Sequence, residues 1–296
     1  MRIMRLFAHV LIAALIIQQT ACSSRKTTSS PEELLKQGWQ AYRLADYDIA
    51  IRHFDQALES SGTSAQSKLM ALYGKAVTWD LRQPVPSQDD ERARTIYQQI
   101  IAEAPDHELA GWSALAIARM SHLVPVDQEP DYEKVYQEYQ NVIDRFARHP
   151  AGQEALIYQQ STIIQTLEPE STRAAIERLR QFIHEYPQSP FTSAAWNLIA
   201  QGYETLADYG QMLEAQLSEI KTVEVDPNNP SVTDFSWRYW QIATTAEFKV
   251  GRFDIAREYY QKLIDEYPLD FRKFPSRQAL ARMDAVEKDL RAEAGP

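Results

Sequence analysis

One cysteine in 296 residues rules out any disulfide within a single molecule, and nine glycines leave little room for glycine-rich phosphate loops. Five histidines follow the first twenty-eight residues (His53, His107, His122, His149 and His184), and none forms a His-Glu-x-x-His pair. Glu103 and His107 are four apart, but Pro105 lies between them and breaks the helix that would align them. No Gly-x-Ser-x-Gly elbow is present. Glu168 and Glu170 flank a proline in a loop, with no enclosing cleft to raise one pKa. Asp89, Asp90 and Glu91 are adjacent, yet they lack the ligand spacing of an EF-hand and suit the first turn of a helix, where the macrodipole favours acid. These absences predict no metal, no cofactor, no small-molecule substrate and no enzyme. The formal charge of −10 argues against nucleic acid and against lying flat on anionic lipid.

What is abundant is Ala, Leu, Gln, Glu and Arg, the residues that lose least on entering a helix. A pattern recurs among them. A small or β-branched residue is followed four later by an aromatic or Leu and three later by another apolar residue, usually with a closing proline. The series is Ala50/Phe54/Ala57, Ala93/Tyr97/Ile100/Pro105, Val135/Tyr139/Val142/Pro150, Ala175/Leu179/Phe182/Pro187 and Ala256/Tyr260/Leu263/Pro268. That spacing is one face of a helix, and its return at about 40 residues predicts a stack of helical hairpins in one continuous body without an internal domain boundary.

Turn chemistry places the hairpins. Ser30-Pro31-Glu32-Glu33 is a capping box, so ordered structure is expected from residue 31. The expected pairs are 32–45 with 47–60, 65–81 with 89–103, 107–122 with 131–148, 151–167 with 170–186, 190–207 with 209–224, and 231–250 with 253–267. Gly251 offers a left-handed C-cap in the last of these. A final helix over 275–292 carries one apolar stripe, Leu280, Met283, Val286 and Leu290, which suits a terminal cap. The proline-containing loops at 83–87 and 123–130 read equally as binding elements or as spacers.

At the N-terminus Arg2 and Arg5 precede an apolar run from Leu6 to Ile17, broken only by His9, and then Cys22. The run is too short for a bilayer span and has the anatomy of a secretory signal. Losing it makes the chain two charges more negative. Gln19-Thr20-Ala21-Cys22 resembles the lipobox of bacterial lipoproteins, departing from it at Gln19. The resemblance implies acylation of Cys22, a signal peptide over 1–21 and a flexible tether over 22–30. Ser23 in the next position implies export to the outer membrane, facing the periplasm. The alternative is an ordinary secreted protein with an incidental cysteine.

The repeating triplets, with Gly38 on the helix before the first and Gly251 in the turn before the last, resemble the tetratricopeptide repeat, with a period near 40 rather than 34. The fifth unit departs, keeping Leu213, Leu217 and Ile220 without Ala or aromatic. The Tyr186-Pro187 and Tyr267-Pro268 endings resemble those of bacterial envelope tetratricopeptide lipoproteins, such as the lipoprotein of the outer-membrane β-barrel assembly machinery and the Tol-Pal coordinating protein. The implied fold is all-α, a right-handed superhelix of about six hairpins plus a C-terminal capping helix over 31–296. The implied function is a membrane-tethered scaffold for an envelope protein or an extended peptide. A Tol-Pal or peptidoglycan-linked coordinator is the first alternative, weakened because no heptad run precedes Pro31. An envelope enzyme on a helical-repeat body is the second, and no stretch remains for its catalytic domain.

In such a superhelix the first helix of each pair lines the partner groove. Aligning Trp196 and Trp240 puts Asn197, Gln201 and Glu204 there on the fifth hairpin, and Arg238, Gln241, Thr245 and Lys249 on the sixth. The cluster Phe235-Ser236-Trp237-Arg238-Tyr239-Trp240 holds too many rings for one helix face. Trp237 or Tyr239 should stand partly exposed, as a partner anchor, unless the last helix covers it.

Overall fold

The computed structural model describes residues 29–81, 87–124, 128–223 and 234–293. Cys22, the signal segment, most of the tether and the 83–86 loop lie outside them. The described residues form helices and no strand. They divide into two compact units, one ending at Ile100 and the other beginning at Ile101, a division the expectation of one continuous body did not include.

The first unit holds α1 (Pro31–Arg43), α2 (Tyr47–Glu59), α3 (Ala65–Leu81) and most of α4 (Ser87–Glu103). Ser30 caps α1 as its sequence requires, with its hydroxyl accepting from the Glu33 N–H at 3.2 Å. Phe54 is fully buried because α1 and α3 each present a glycine to its ring. A β-carbon on Gly38 would stand 2.6 Å from that ring, and one on Gly74 2.5 Å. Tyr97 ties α4 to α3 by its ring against Tyr73, 6.1 Å between centroids, and by its hydroxyl on Asp80 at 3.2 Å.

The second unit runs through α5 (Glu108–His122), α6 (Tyr132–Phe146), α7 (Pro150–Gln165), α8 (Pro169–Glu185), α9 (Thr192–Thr205), α10 (Tyr209–Thr222), α11 (Ser236–Thr244), α12 (Phe253–Glu266) and α13 (Lys273–Glu293). Each helix packs on its chain neighbour, and first helices of successive hairpins also touch, α5 with α7 and α7 with α9. Every residue of the five sequence triplets is buried. The periodicity therefore marked the helix face that each second helix turns inward.

Two histidines serve as N-caps. His107 and His149 use Nδ1 to accept from the N–H two residues on, Leu109 and Ala151, both at 3.1 Å. His149 also packs its ring against Trp112 and Phe146. Burial lowers its pKa, outweighing the opposing charge of Glu108. His184 is exposed in the last turn of α8.

Helix α11 does not end where its α pattern stops. Thr245–Val250 forms a π turn, closed by Gly251 in the left-handed conformation at φ 77°. The wider turn admits an extra residue, so Thr245, Ala246 and Glu247 are buried in succession. Glu247 then meets the Tyr260 hydroxyl at 2.9 Å and the Arg282 guanidinium at 2.5 Å, fastening α13 to the last hairpin. On α13 itself, Met283 is buried, whereas Val286 and Leu290 stand exposed. Only the first half of the predicted stripe is covered.

Candidate functional site

The residues expected to line a groove sit on α9 and α11, with α10 between them in sequence and packed on both. Glu219 of α10 is the centre. Its side chain is 5 % exposed, and it accepts from Arg238 Nε of α11 at 2.9 Å on one oxygen and from Asn197 Nδ2 of α9 at 3.4 Å on the other. Gln201, one turn along α9, donates to Asn197 Oδ1 at 2.6 Å. Four polar side chains from three helices thus form one chain of hydrogen bonds. A buried carboxylate is costly unless charge and donors meet it, and here both do.

This network holds Asn197 and Arg238 from behind. Gln201 and Glu204 are exposed and Gln241 half-buried, so amide and carboxylate groups remain open on the same two helices. Lys249 is exposed as well, with its ammonium over the Tyr209 ring at 4.7 Å. Thr245 corrects the sequence expectation. It is buried where α11 passes into the π turn.

Of the two rings left open by sequence, Trp237 is 54 % exposed and Tyr239 is buried. Tyr239 packs between Phe235, Tyr259 and Tyr267, and its hydroxyl donates to Glu266 at 2.8 Å. Burial first, and the bond to Glu266 second, push its pKa well above the ordinary tyrosine value. The Tyr267 hydroxyl takes part in the same corner. That oxygen accepts from the Phe235 N–H at 2.8 Å, satisfying a donor at the start of α11.

Sequence reasoning missed Glu219 altogether. It missed a second feature too, a recess of about 610 Å³ in the first unit, lined by Asp55, Lys75, Trp79, Glu91, Arg92 and residues of α4. There the Arg92 guanidinium lies 4.8 Å over the Trp79 indole, and Lys75 bonds Asp55 at 2.6 Å. No periodic signal marks either feature, since each joins residues on three helices. Among the described residues no group of three His, Cys, Asp or Glu is placed to hold a metal ion, and no helix is long and apolar enough to cross a membrane.

Residues 35–108 and 239–270 match family profiles described as tetratricopeptide repeat. These two segments are tetratricopeptide repeats. The second of them includes Tyr239, Gln241, the π turn and the α12 triplet, so the repeat assignment reaches the candidate surface itself. No curated protein sequence matches the chain. Among solved structures, one reported for the functional characterization of Pseudomonas aeruginosa pilF aligns with 83 % of this chain and 97 % of its own, at 13 % identity and a TM-score of 0.50. An assembly chaperone of RpL4 (Acl4, residues 1–338) covers 90 % of this chain and 100 % of its own at 17 % identity and a TM-score of 0.45. TTC0263, a thermophilic repeat protein of Thermus thermophilus, covers 85 % and 100 % at 17 % identity, with a TM-score of 0.26. The first likeness is one of fold alone. Proteins built of this repeat generally mediate protein–protein interaction, and the fold is typically a non-enzymatic scaffold.

Proposed function

We propose that this chain is a periplasm-facing scaffold, anchored through an acylated Cys22, which binds an extended segment of another envelope protein across α9 and α11. The observation that carries the binding surface is the Glu219 network. It fixes Asn197 and Arg238, leaves Gln201 and Gln241 open to main-chain groups, and places Trp237 as an exposed amphipathic ring on the same helix as Arg238 and Gln241. Side-chain amides offer a donor and an acceptor together, which is what an extended backbone presents. The anchor rests on the sequence resemblance at Gln19-Thr20-Ala21-Cys22, and the outer membrane on Ser23. Several acyl chains would hold the protein stably, since each buried CH₂ contributes about 0.8 kcal/mol.

The sharper form of this reading is a part in outer-membrane protein assembly, supported by the tyrosine-proline endings at Tyr186 and Tyr267. Photoreactive residues placed at Gln201, Trp237 and Gln241 in cells, followed by mass spectrometry of the adducts, test it. A β-barrel assembly subunit among the adducts supports the sharper form. A Tol-Pal or peptidoglycan-linked protein replaces it with the coordinator reading, and no adduct at any of the three sites removes the surface assignment. Labelling with a fatty-acid probe, lost in Cys22→Ser, tests the anchor separately.

A further inference from the structure

Of the exposed large apolar side chains described in the second unit, the two most exposed, Leu269 and Phe271, lie close together in one turn, with Phe274 beside them. Between α12 and α13 Leu269 is 99 % exposed and Phe271 81 %, and in the first turn of α13 Phe274 is 68 % exposed. Three such side chains within six residues are not the scattered single exposures that a protein surface normally carries.

The turn that presents them is braced. Asp270 and Arg272 pair at 2.7 Å with both side chains largely buried, and Asp270 also accepts from the Arg272 backbone N–H at 2.7 Å. Arg272 reaches back to the Ser236 hydroxyl at 2.7 Å, and Tyr267 holds the Phe235 N–H. The Asp270 carboxyl is held down to about 2, chiefly by its bond to Arg272, so the brace stays ionised across physiological pH. A rigid turn has little conformational freedom to lose when its apolar tips are buried elsewhere.

Charge at the turn departs from that of the chain. From Leu269 to Arg277 the sole acid, Asp270, is consumed by Arg272, while Lys273 and the exposed Arg277 flank the apolar tips. Just before the turn, Asp265 accepts from Gln261, Glu266 from Tyr239, and Asp234 from the Ser236 N–H, bonds that hold these carboxylates against the protein without neutralising them. Near-total exposure on a turn suits insertion into a soft medium better than docking on a flat protein face, and the cations match anionic headgroups.

We propose that the Leu269–Arg277 turn is a lipid-contacting wedge, its three apolar side chains entering a bilayer interface and Lys273 and Arg277 meeting anionic headgroups. The contact is a point and not a face, which reconciles it with a chain whose overall charge opposes lying flat on such a membrane. It is independent of the partner surface on α9 and α11.

The test places an environment-sensitive fluorophore at position 271 through Phe271→Cys, in the full chain carrying Cys22→Ser so that this thiol is unique. A control carries the probe through Glu185→Cys, an exposed site on α8. Vesicles of phosphatidylcholine with phosphatidylglycerol, some bearing quenchers in the acyl region, are added. The expected result is a blue shift and quenching at 271 but not at 185, with an apparent vesicle affinity reduced about tenfold by Leu269→Asp with Phe274→Asp. Quenching that is equal at both sites, or unchanged in that double variant, overturns the wedge. Equal quenching on phosphatidylcholine alone overturns the anionic-headgroup part. A blue shift that needs no vesicles and grows with protein concentration assigns the turn to a second copy of the chain instead.

Discussion

Single residues carry more of this fold than their number suggests. Phe54 is buried between Gly38 and Gly74, so either glycine is fixed by the space the ring takes. Gly38→Ala or Gly74→Ala should destabilise the first unit by about 1–3 kcal/mol, as other overpacked sites do, although alanine is the better helix former. Urea unfolding followed by circular dichroism measures it, and a gain in stability would mean that the ring moves aside freely. Glu219 is the counterpart in the second unit. Glu219→Leu leaves Arg238 and Asn197 without their acceptor, and the expected cost is about 1–3 kcal/mol, moderated because Arg238 remains partly in water. The same measurement checks it, and Glu219→Gln should recover part of the loss by keeping one acceptor oxygen.

At the scale of the helix, caps and turn type decide what neighbours can meet. His149 accepts through Nδ1, which requires that nitrogen unprotonated, and burial lowers its pKa below the ordinary 6.5. A histidine whose folded pKa is depressed adds stability that is fully present above its unfolded pKa and fades as pH falls below it. The second unit should therefore weaken by about 1 kcal/mol, the worth of an N-cap, between neutral and mildly acidic pH. His149→Asn keeps a capping acceptor and should remove that part of the dependence; an unchanged profile in the variant would place the acid sensitivity elsewhere. At the other end of the unit, Arg282→Ala should raise hydrogen exchange in α13 more than in α12, because Glu247 loses the cation that fastens the terminal helix.

The helices themselves were legible in the sequence because their signal is local. The triplet spacing located the buried face of the second helices in five hairpins, and Ser30-Pro31, Gly251 and the tyrosine-proline endings set boundaries within a few residues. The π turn was not legible. Nothing in Thr245–Val250 distinguishes it from an α-helix by composition, and the partners that Glu247 meets there, Tyr260 and Arg282, lie on other helices. Thr245, which opens it, was expected on the open face and is buried. Glu219 was invisible for a similar reason, since Asn197, Glu219 and Arg238 share no period and meet only after α9, α10 and α11 have packed.

For the whole molecule, the described residues are helical and carry tetratricopeptide repeats, an architecture suited to recognition, and the two proposed surfaces differ in kind. One is polar, ordered from behind by Glu219, and lies on α9 and α11. The other is the apolar, cation-flanked turn before α13. The measurement that reaches the central claim most directly compares faces in cells: a photoreactive residue at Gln201 or Gln241, on the first helices, against one at Gln181 or Gln261, exposed on the second helices α8 and α12. Adducts of the same envelope protein from Gln201 and Gln241, and none from the other two, are predicted. Adducts that form equally from all four, or only from Gln181 and Gln261, would contradict the assignment of the partner surface.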